Sequence, residues 1–439
     1  MDKQELLNKR LNLIIEPLYV KVTMYLMVVS FFYNLPVTNY SLKGSNEIRL
    51  YDVLGIIICY LYVKNFGVLN YYIKQKLNFK FLNHFLIWSA ITLIFTGLFS
   101  IFLNRPMWLL QSILYYYHFF VFFLYAVLVS VFVLKFKNFK AIVYILLILI
   151  IGESLLVIAQ NSGIVPFLWN DRYKMAYLGF LSGTLGPNKI VLGMTMFISF
   201  AVSLGIYLQK QLKINKILLL AAITLSGTVI IITGSRTSYL ALIVFAAYFL
   251  IANTQKFISV SVVFLIIVMT AISLDLEVVD MAKNVFDNRI TNKISDPTVL
   301  SENSVDVDQL YEDLGSGRKE LSASYAKYLI ERPYIIPLGI GFNNRLLIGF
   351  SAHNIYLSLI NEVGLFGLIL YLRWLASYFL LNLSKTKYLK MALNGLVLAM
   401  LVTLYFGEHL YVYRPLFGLL GFFLLATVLL TTPRFYFKK

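Results

Sequence analysis

The chain is poor in everything that builds a disulfide-held, metal-held or soluble protein. It has one cysteine, Cys59, in 439 residues. That excludes a disulfide framework and a cysteine–histidine metal cluster. The four histidines, His84, His118, His353 and His409, are scattered and give no metal-ligand spacing, so no metal site and no cofactor are expected. Only 13% of residues are charged, about half the share of a soluble domain. No G-x-x-x-x-G-K-[ST] occurs, which excludes a P-loop nucleotide site. No internal repeat is present, which argues against a transporter built from two echoing halves.

Apolar residues fill the space. They make up 59% of the chain, with a mean hydropathy of +0.77. They come in runs of roughly 20 residues, each able to cross about 30 Å of hydrocarbon. A backbone in lipid must satisfy its own hydrogen bonds, which leaves helices or a closed barrel. The runs are continuous rather than alternating, so the fold expected is an all-α polytopic membrane protein. About 12 transmembrane helices are predicted, near 17–35, 50–66, 82–103, 108–134, 141–160, 189–208, 215–233, 237–253, 257–275, 354–372, 391–407 and 415–431. This divides the chain into spans 1–9 (1–275), one large extracytoplasmic loop (276–353) and spans 10–12 (354–439). The N-terminus, "MDKQELLNKR", is charged, and no small-residue cleavage site follows the first apolar run, so no cleavable signal is expected.

The net charge of +17 could point to nucleic acid. Its distribution points to a membrane instead. Lys3, Lys9 and Arg10, then Lys64, Lys74, Lys76 and Lys80, then Lys135, Lys137 and Lys140 fall on alternate connections. So do Lys210, Lys213 and Lys216, Lys256, the group Lys385, Lys387 and Lys390, and finally Arg434, Lys438 and Lys439. With twelve spans all lie on one side, the cytoplasmic one, and both termini are inside. No nucleic-acid partner is expected.

Arginines on the opposite face therefore stand out. Arg172, Arg332 and Arg345 read as snorkelling or surface residues. Arg236, in "ITGSRTSYL", sits in a tight turn between two spans, where Ser235, Thr237 and Ser238 offer N-caps. An arginine fork beside a helix N-terminus suits a diphosphate. Arg318, in "LGSGRKEL", lies in the large loop. In "SGTLGPNKIVLGM" Asn188 can cap a span that Lys189 begins; the plain reading is a turn and a helix start. Asp306 and Asp308 form a D-x-D pair, but in an acidic outer loop they read as solvated charge. Glu408 and Arg414, in "GEHLYVYRP", flank the last outer turn, with His409 beside them.

"SAHNIYLSLINEVGLFGLILYL" (351–372) opens the tenth span with a polar tetrapeptide. If Asn354 starts the helix, His353 takes the cap position. There the helix dipole disfavours imidazolium, and a neutral ring can accept a proton as a general base. A ring that merely caps the helix is the competing reading. Glu362 is nine residues on and faces away, to pair with another helix or line a cavity. Gly364 and Gly367 read as close-packing positions.

In order, "GSRTSYLAL", "GSGR", "PLGIGF" and "HNIYLSLINEVGLFGL" resemble the O-antigen ligase and polymerase superfamily, polytopic bacterial glycosyltransferases of the C-type membrane class. The resemblance covers roughly 180–375. Its most specific residues are Gly339, Gly341, His353, Asn354, Tyr356, Leu357, Glu362, Gly364 and Gly367. The tryptophan that often follows the "SGR" piece is missing; Tyr325 and Tyr328 are there instead. The resemblance implies an inverting, metal-independent transfer on the outer face of a bacterial inner (plasma) membrane. The donor would be a glycan on undecaprenyl diphosphate, with Arg236 and Arg318 holding the diphosphate and His353 activating the acceptor hydroxyl. Asn354, Glu362, Lys189, Arg414 and Glu408 are the supporting positions. A polymerase would join lipid-linked repeat units of an O-antigen or capsule, beside a chain-length regulator and a flippase of the same pathway. A ligase would transfer the glycan to lipid A-core. The Lys-, Asn-, Tyr- and Ile-rich composition, as in AT-rich surface-polysaccharide clusters, favours the polymerase. A flippase or exporter of lipid-linked glycan is the alternative of another class. It would need charges deep in several spans, and the candidates are Glu16, Lys21, Asp52, Glu153 and Glu362.

Overall fold

The computed structural model describes residues 10–39, 47–169, 182–186, 188–261, 318–344, 352–411 and 417–436, with a few isolated positions between them. Its helices are α1 (Leu18–Ser30), α2 (Leu50–Lys64), α3 (Phe66–Gln75), α4 (Leu77–Phe102), α5 (Pro106–Phe132), α6 (Phe136–Asn161) and α7 (Lys189–Leu208). They continue as α8 (Lys216–Ile232), α9 (Arg236–Ala252), α10 (Arg318–Glu331), α11 (Ile355–Ala376), α12 (Lys387–Thr403) and α13 (Phe417–Thr431). The strands among the described residues are two-residue pairings, Thr38–Asn39 with Glu47–Ile48 and Leu300–Ser301 with Ser304–Val305. The chain is an all-α polytopic membrane protein.

Seven helices among the described residues are long and apolar enough to cross a membrane. The shorter α1, α8 and α9 and the bent pair α2–α3 fall on four more of the predicted spans. Most of the predicted ninth span and of the 276–353 loop lies outside the described residues. The sharpest departure from expectation is α3, which was expected as a lysine-bearing connection. It is a helix turned 92° from α2. Leu69, Tyr72 and Ile73 make one buried face, while Phe66 and Tyr71 stay exposed. Lys76, just past its end, lies over the rings of Tyr72 and Phe435. An apolar face with cations at its rim is the pattern of a helix lying along a membrane surface.

α7 and α13 carry the centre of the bundle. α7 is buried along nearly its whole length, from Val191 to Ile206. Small residues let neighbours approach it. A methyl group on Gly193 would lie 2.5 Å from Ser238 Oγ, and one on Gly205 would lie 2.7 Å from Ala392 Cβ. Close approach through small residues is the usual basis of helix packing in lipid.

Candidate functional site

The same contacts fix which helix ends share a face. Gly193, in the second turn of α7, touches Ser235 and Ser238 at the start of α9, so these helices run parallel. Gly205, near the end of α7, touches Leu389 and Ala392 at the start of α12, so that pair is antiparallel. The Tyr356 hydroxyl, at the start of α11, donates to Leu401 O near the end of α12. Lys189, Arg236, Asn354 and Glu408 therefore lie at one end of the bundle. The α10 helix, which Arg318 begins, is tied to the same end: Ser322 Oγ donates to Ala352 O at 3.2 Å. Arg414 lies outside the described residues.

Two helix N-termini meet there. Asn188 caps α7, accepting from Ile190 N at 2.8 Å, as expected. At α9 the expectation of a serine or threonine cap fails. Ser235 occupies the cap position but makes no cap bond. Its buried hydroxyl has no partner among the described residues, and Ser238 Oγ instead donates to Ser235 O at 2.8 Å. Gly234, at φ +61, makes the turn that permits this. The first amides of α9 are thus left without a side-chain cap, beside Arg236 and next to the helix start that carries Lys189. Helix N-terminal amides, a helix dipole and cations in one place bind anions.

His353 is one residue further out than expected. The cap of α11 is Asn354, whose side chain accepts from Tyr356 N at 3.0 Å and Leu357 N at 3.4 Å. A carboxamide outcompetes an imidazole for this duty because it reaches both amides. His353 is released from capping and held at φ +50, a left-handed conformation. Its neighbours Ala352 and Asn354 are buried, while its own ring is half-buried. On the inner side of this cap Ser358 Oγ donates to the Glu408 carboxylate, and His409 Nε2 lies 3.0 Å from Thr403 Oγ1.

The glycine motif has a specific architecture. α11 breaks at Gly364, φ +75. The 337–344 segment enters the break: Ile340 N donates to Asn361 O at 2.9 Å, Gly341 N to Glu362 O at 2.8 Å, and Leu365 N to Ile336 O at 2.7 Å. A methyl group on Gly339 would lie 2.4 Å from Glu362 O, and one on Gly341 would lie 2.3 Å from Thr96 Oγ1. Only glycine fits at either position. α4 and α5 close the other side, with Thr96 Oγ1 donating to Phe342 O and Trp108 Nε1 to Asn343 O. Glu362 is fully buried. Its Oε2 accepts from Asn343 N and from the Tyr411 hydroxyl, both at 2.9 Å. Glu362 thus joins the inserted segment to the turn that carries Tyr411. Gly364 marks the break rather than a packed helix face, whereas Gly367 does allow close packing, against Trp88.

Sequence reasoning missed a polar network beside Lys189. Arg49 Nη1 donates to Asn34 Oδ1 at 2.7 Å, and Asn34 Nδ2 donates to Leu185 O at 3.3 Å. Glu153 accepts from Thr184 N at 2.8 Å and Leu185 N at 3.2 Å. Gln160 accepts from Gly183 N at 2.8 Å. These residues brace the turn that delivers Asn188 and Lys189. Asp52 accepts from Arg49 N at 2.8 Å and pairs with His118 Nε2. In-span charges were the signal available, since such residues pair with one another when buried.

Residues 219–372 match the family described as O-antigen ligase. The match covers about a third of the chain, takes in most of α8, α9, the break in α11 and the segment that fills it, and supports a likeness of this part of the chain to the O-antigen ligase and polymerase superfamily. The class supported is a multi-pass membrane glycosyltransferase of ligase or polymerase type. No curated protein matches the chain.

Proposed function

We propose that the protein is a surface-polysaccharide polymerase, acting on undecaprenyl-diphosphate-linked glycan at the outer face of a bacterial inner membrane. The observation that carries this reading is the anion corner: the uncapped start of α9 with Arg236 and the orphaned Ser235 hydroxyl, against the α7 start with Lys189. Outside the membrane a nucleotide sugar is absent, so a lipid diphosphate must be the leaving group. In the proposed step the acceptor hydroxyl attacks the anomeric carbon from the face opposite the diphosphate. The new C–O bond forms as the C–O bond to phosphate breaks, the electron pair leaves with the diphosphate, and His353 takes the hydroxyl proton. Arg236, and Arg318 at the head of α10, neutralise the charge that grows on the leaving group. Asn354, Glu408 and Glu362 hold the frame rather than touch the donor.

A flippase without chemistry is disfavoured by the fate of the in-span charges. Glu16 pairs with Lys135 at 3.8 Å, Asp52 with His118, and Glu153 and Glu362 each hold a turn. Four of the five candidates have local duties and do not mark a common passage.

Purified protein in nanodiscs, given one lipid-linked repeat unit and EDTA, is expected to produce a ladder of chain lengths. Single transfer that appears only when lipid A-core is added would make the protein a ligase. No transfer to either acceptor would favour the exporter, and strict dependence on a divalent ion would contradict the metal-free step. Arg236→Lys is expected to lose about 10²–10³-fold in transfer, because an ammonium cannot reproduce the bidentate fork. Full activity in that variant would remove Arg236 from the donor site.

A further inference from the structure

At the end of the bundle opposite Arg236, the last turns of α7, the first half of α8, the second half of α9 and the 256–261 segment line an open groove of about 910 Å³. That is near the top of the roughly 300–1,000 Å³ range of ligand sites. Its walls are apolar, with Phe200, Phe245 and Phe249 among them, and no acidic residue lines it. Its mouth carries Lys210, Lys216 and Lys256. None of these lysines forms an ion pair among the described residues. Gln209 lines the same groove and is only 5% exposed. Its Nε2 donates to Gln211 at 2.9 Å, while Oε1 has no partner among the described residues. One end of a buried amide is thus unsatisfied, and an amide can present either its donor or its acceptor end.

Depth narrows the ligand. From Lys216 the groove reaches Gly227 along α8, a rise of about 16 Å at 1.5 Å per residue. This is about half of a 30 Å hydrocarbon core, the depth of one leaflet. We propose that this is a binding site for an anionic phospholipid of the lysine-side leaflet. Its phosphate meets Lys210, Lys216 and Lys256, its acyl chains fill the aromatic groove, and a headgroup hydroxyl bonds the free end of the Gln209 amide. A lipid-diphosphate donor fits less well. Its charge belongs with Arg236 at the other end, and its headgroup there would leave three lysines without a counter-charge. The proposal rests on the membrane reading and not on the transfer reaction.

The test uses full-length protein in neutral detergent, titrated with phosphatidylglycerol or phosphatidylcholine and followed by native mass spectrometry and Tm. Phosphatidylglycerol is expected to bind and raise Tm, and phosphatidylcholine to do neither. At about a tenfold or smaller loss per lysine, the triple variant K210Q/K216Q/K256Q should weaken phosphatidylglycerol binding about a hundred-fold. Its lipid-free Tm should not change. Ala246→Trp, which fills the groove, should block the lipid while every lysine remains. Equal binding of the two lipids, or unchanged affinity in the triple variant, would overturn the site. So would undecaprenyl diphosphate displacing phosphatidylglycerol through the same lysines. If the triple variant does not fold, the comparison of the two lipids on the unmodified protein decides alone. A protein that fails to make polymer but passes this test would refute the proposed reaction and leave the lipid site standing.

Discussion

His353→Ala is expected to abolish polymer formation while the protein still inserts and binds its lipid-linked donor. General bases contribute about 10²–10⁴-fold, so transfer should fall by that order with donor affinity unchanged. The geometry gives the reason to expect a clean separation. Asn354, not His353, caps α11, so removing the imidazole takes no cap from the helix. Ser322 holds Ala352 from one side and the α11 amides hold Asn354 from the other, so the backbone between them has little freedom to follow the mutation. His353 keeps φ +50 between these fixed points, a conformation that non-glycine residues seldom adopt and that clusters at functional sites. Donor binding is measured by retention of labelled lipid-linked glycan, transfer by the gel ladder. A normal ladder from His353→Ala would remove the base assignment. Loss of donor binding together with the ladder would make the residue a structural one.

Helix ends could be read from the sequence where hydropathy changes sharply. The prediction at 189–208 coincides with α7 (Lys189–Leu208), and 354–372 lies within a few residues of α11 (Ile355–Ala376). Asn188 was readable as a cap because capping is a local bond between neighbours in sequence, whereas at α11 the cap was placed one residue early, on His353 instead of Asn354. α3 was missed because a short amphipathic helix with lysines at its rim resembles a charged loop. Site geometry was harder for a different reason. Glu153, Asp52 and Glu362 were visible as in-span charges, but their partners come from segments far away in sequence. Glu362 takes Tyr411 from the turn after α12, Glu153 the 183–185 turn, and Asp52 a histidine on α5. Gly364, read as a packing position, and the motif glycines Gly339 and Gly341 all have positive φ. A sequence does not separate a glycine kept for its missing side chain from one kept for its backbone.

Gly364→Ala is expected to cost at least 3 kcal/mol of stability and about a hundred-fold or more in transfer, although Gly364 touches no substrate in the proposed step. At φ +75, ψ 174 the backbone lies in a region essentially reserved for glycine, and an L-residue there loses about 1–3 kcal/mol. The new methyl would also sit 2.4 Å from Pro337 O and 2.5 Å from Leu338 C. Both atoms are backbone, so no rotamer change relieves the collision and the 337–342 segment must move. Moving it strains the Ile340–Asn361, Gly341–Glu362 and Leu365–Ile336 bonds, and each buried group left unpaired costs about 1–3 kcal/mol. The shift then reaches the turn after α12 through Asn343, Glu362 and Tyr411, and a displacement of about 1 Å at a reacting centre costs about 10²-fold. Gly367→Ala is the control. Its methyl would meet Trp88 and Val363, at the fixed Cβ as well as Cγ2, so some loss of Tm is expected, but Gly367 lacks the positive φ of Gly364 and displaces no inserted segment, so the loss of Tm and activity should be smaller. Thermal unfolding in detergent and the ladder assay read the two variants side by side. If Gly364→Ala keeps the native Tm and full transfer, the break in α11 is not what shapes the site. If it loses transfer alone, the break acts on geometry without carrying the stability assigned to it.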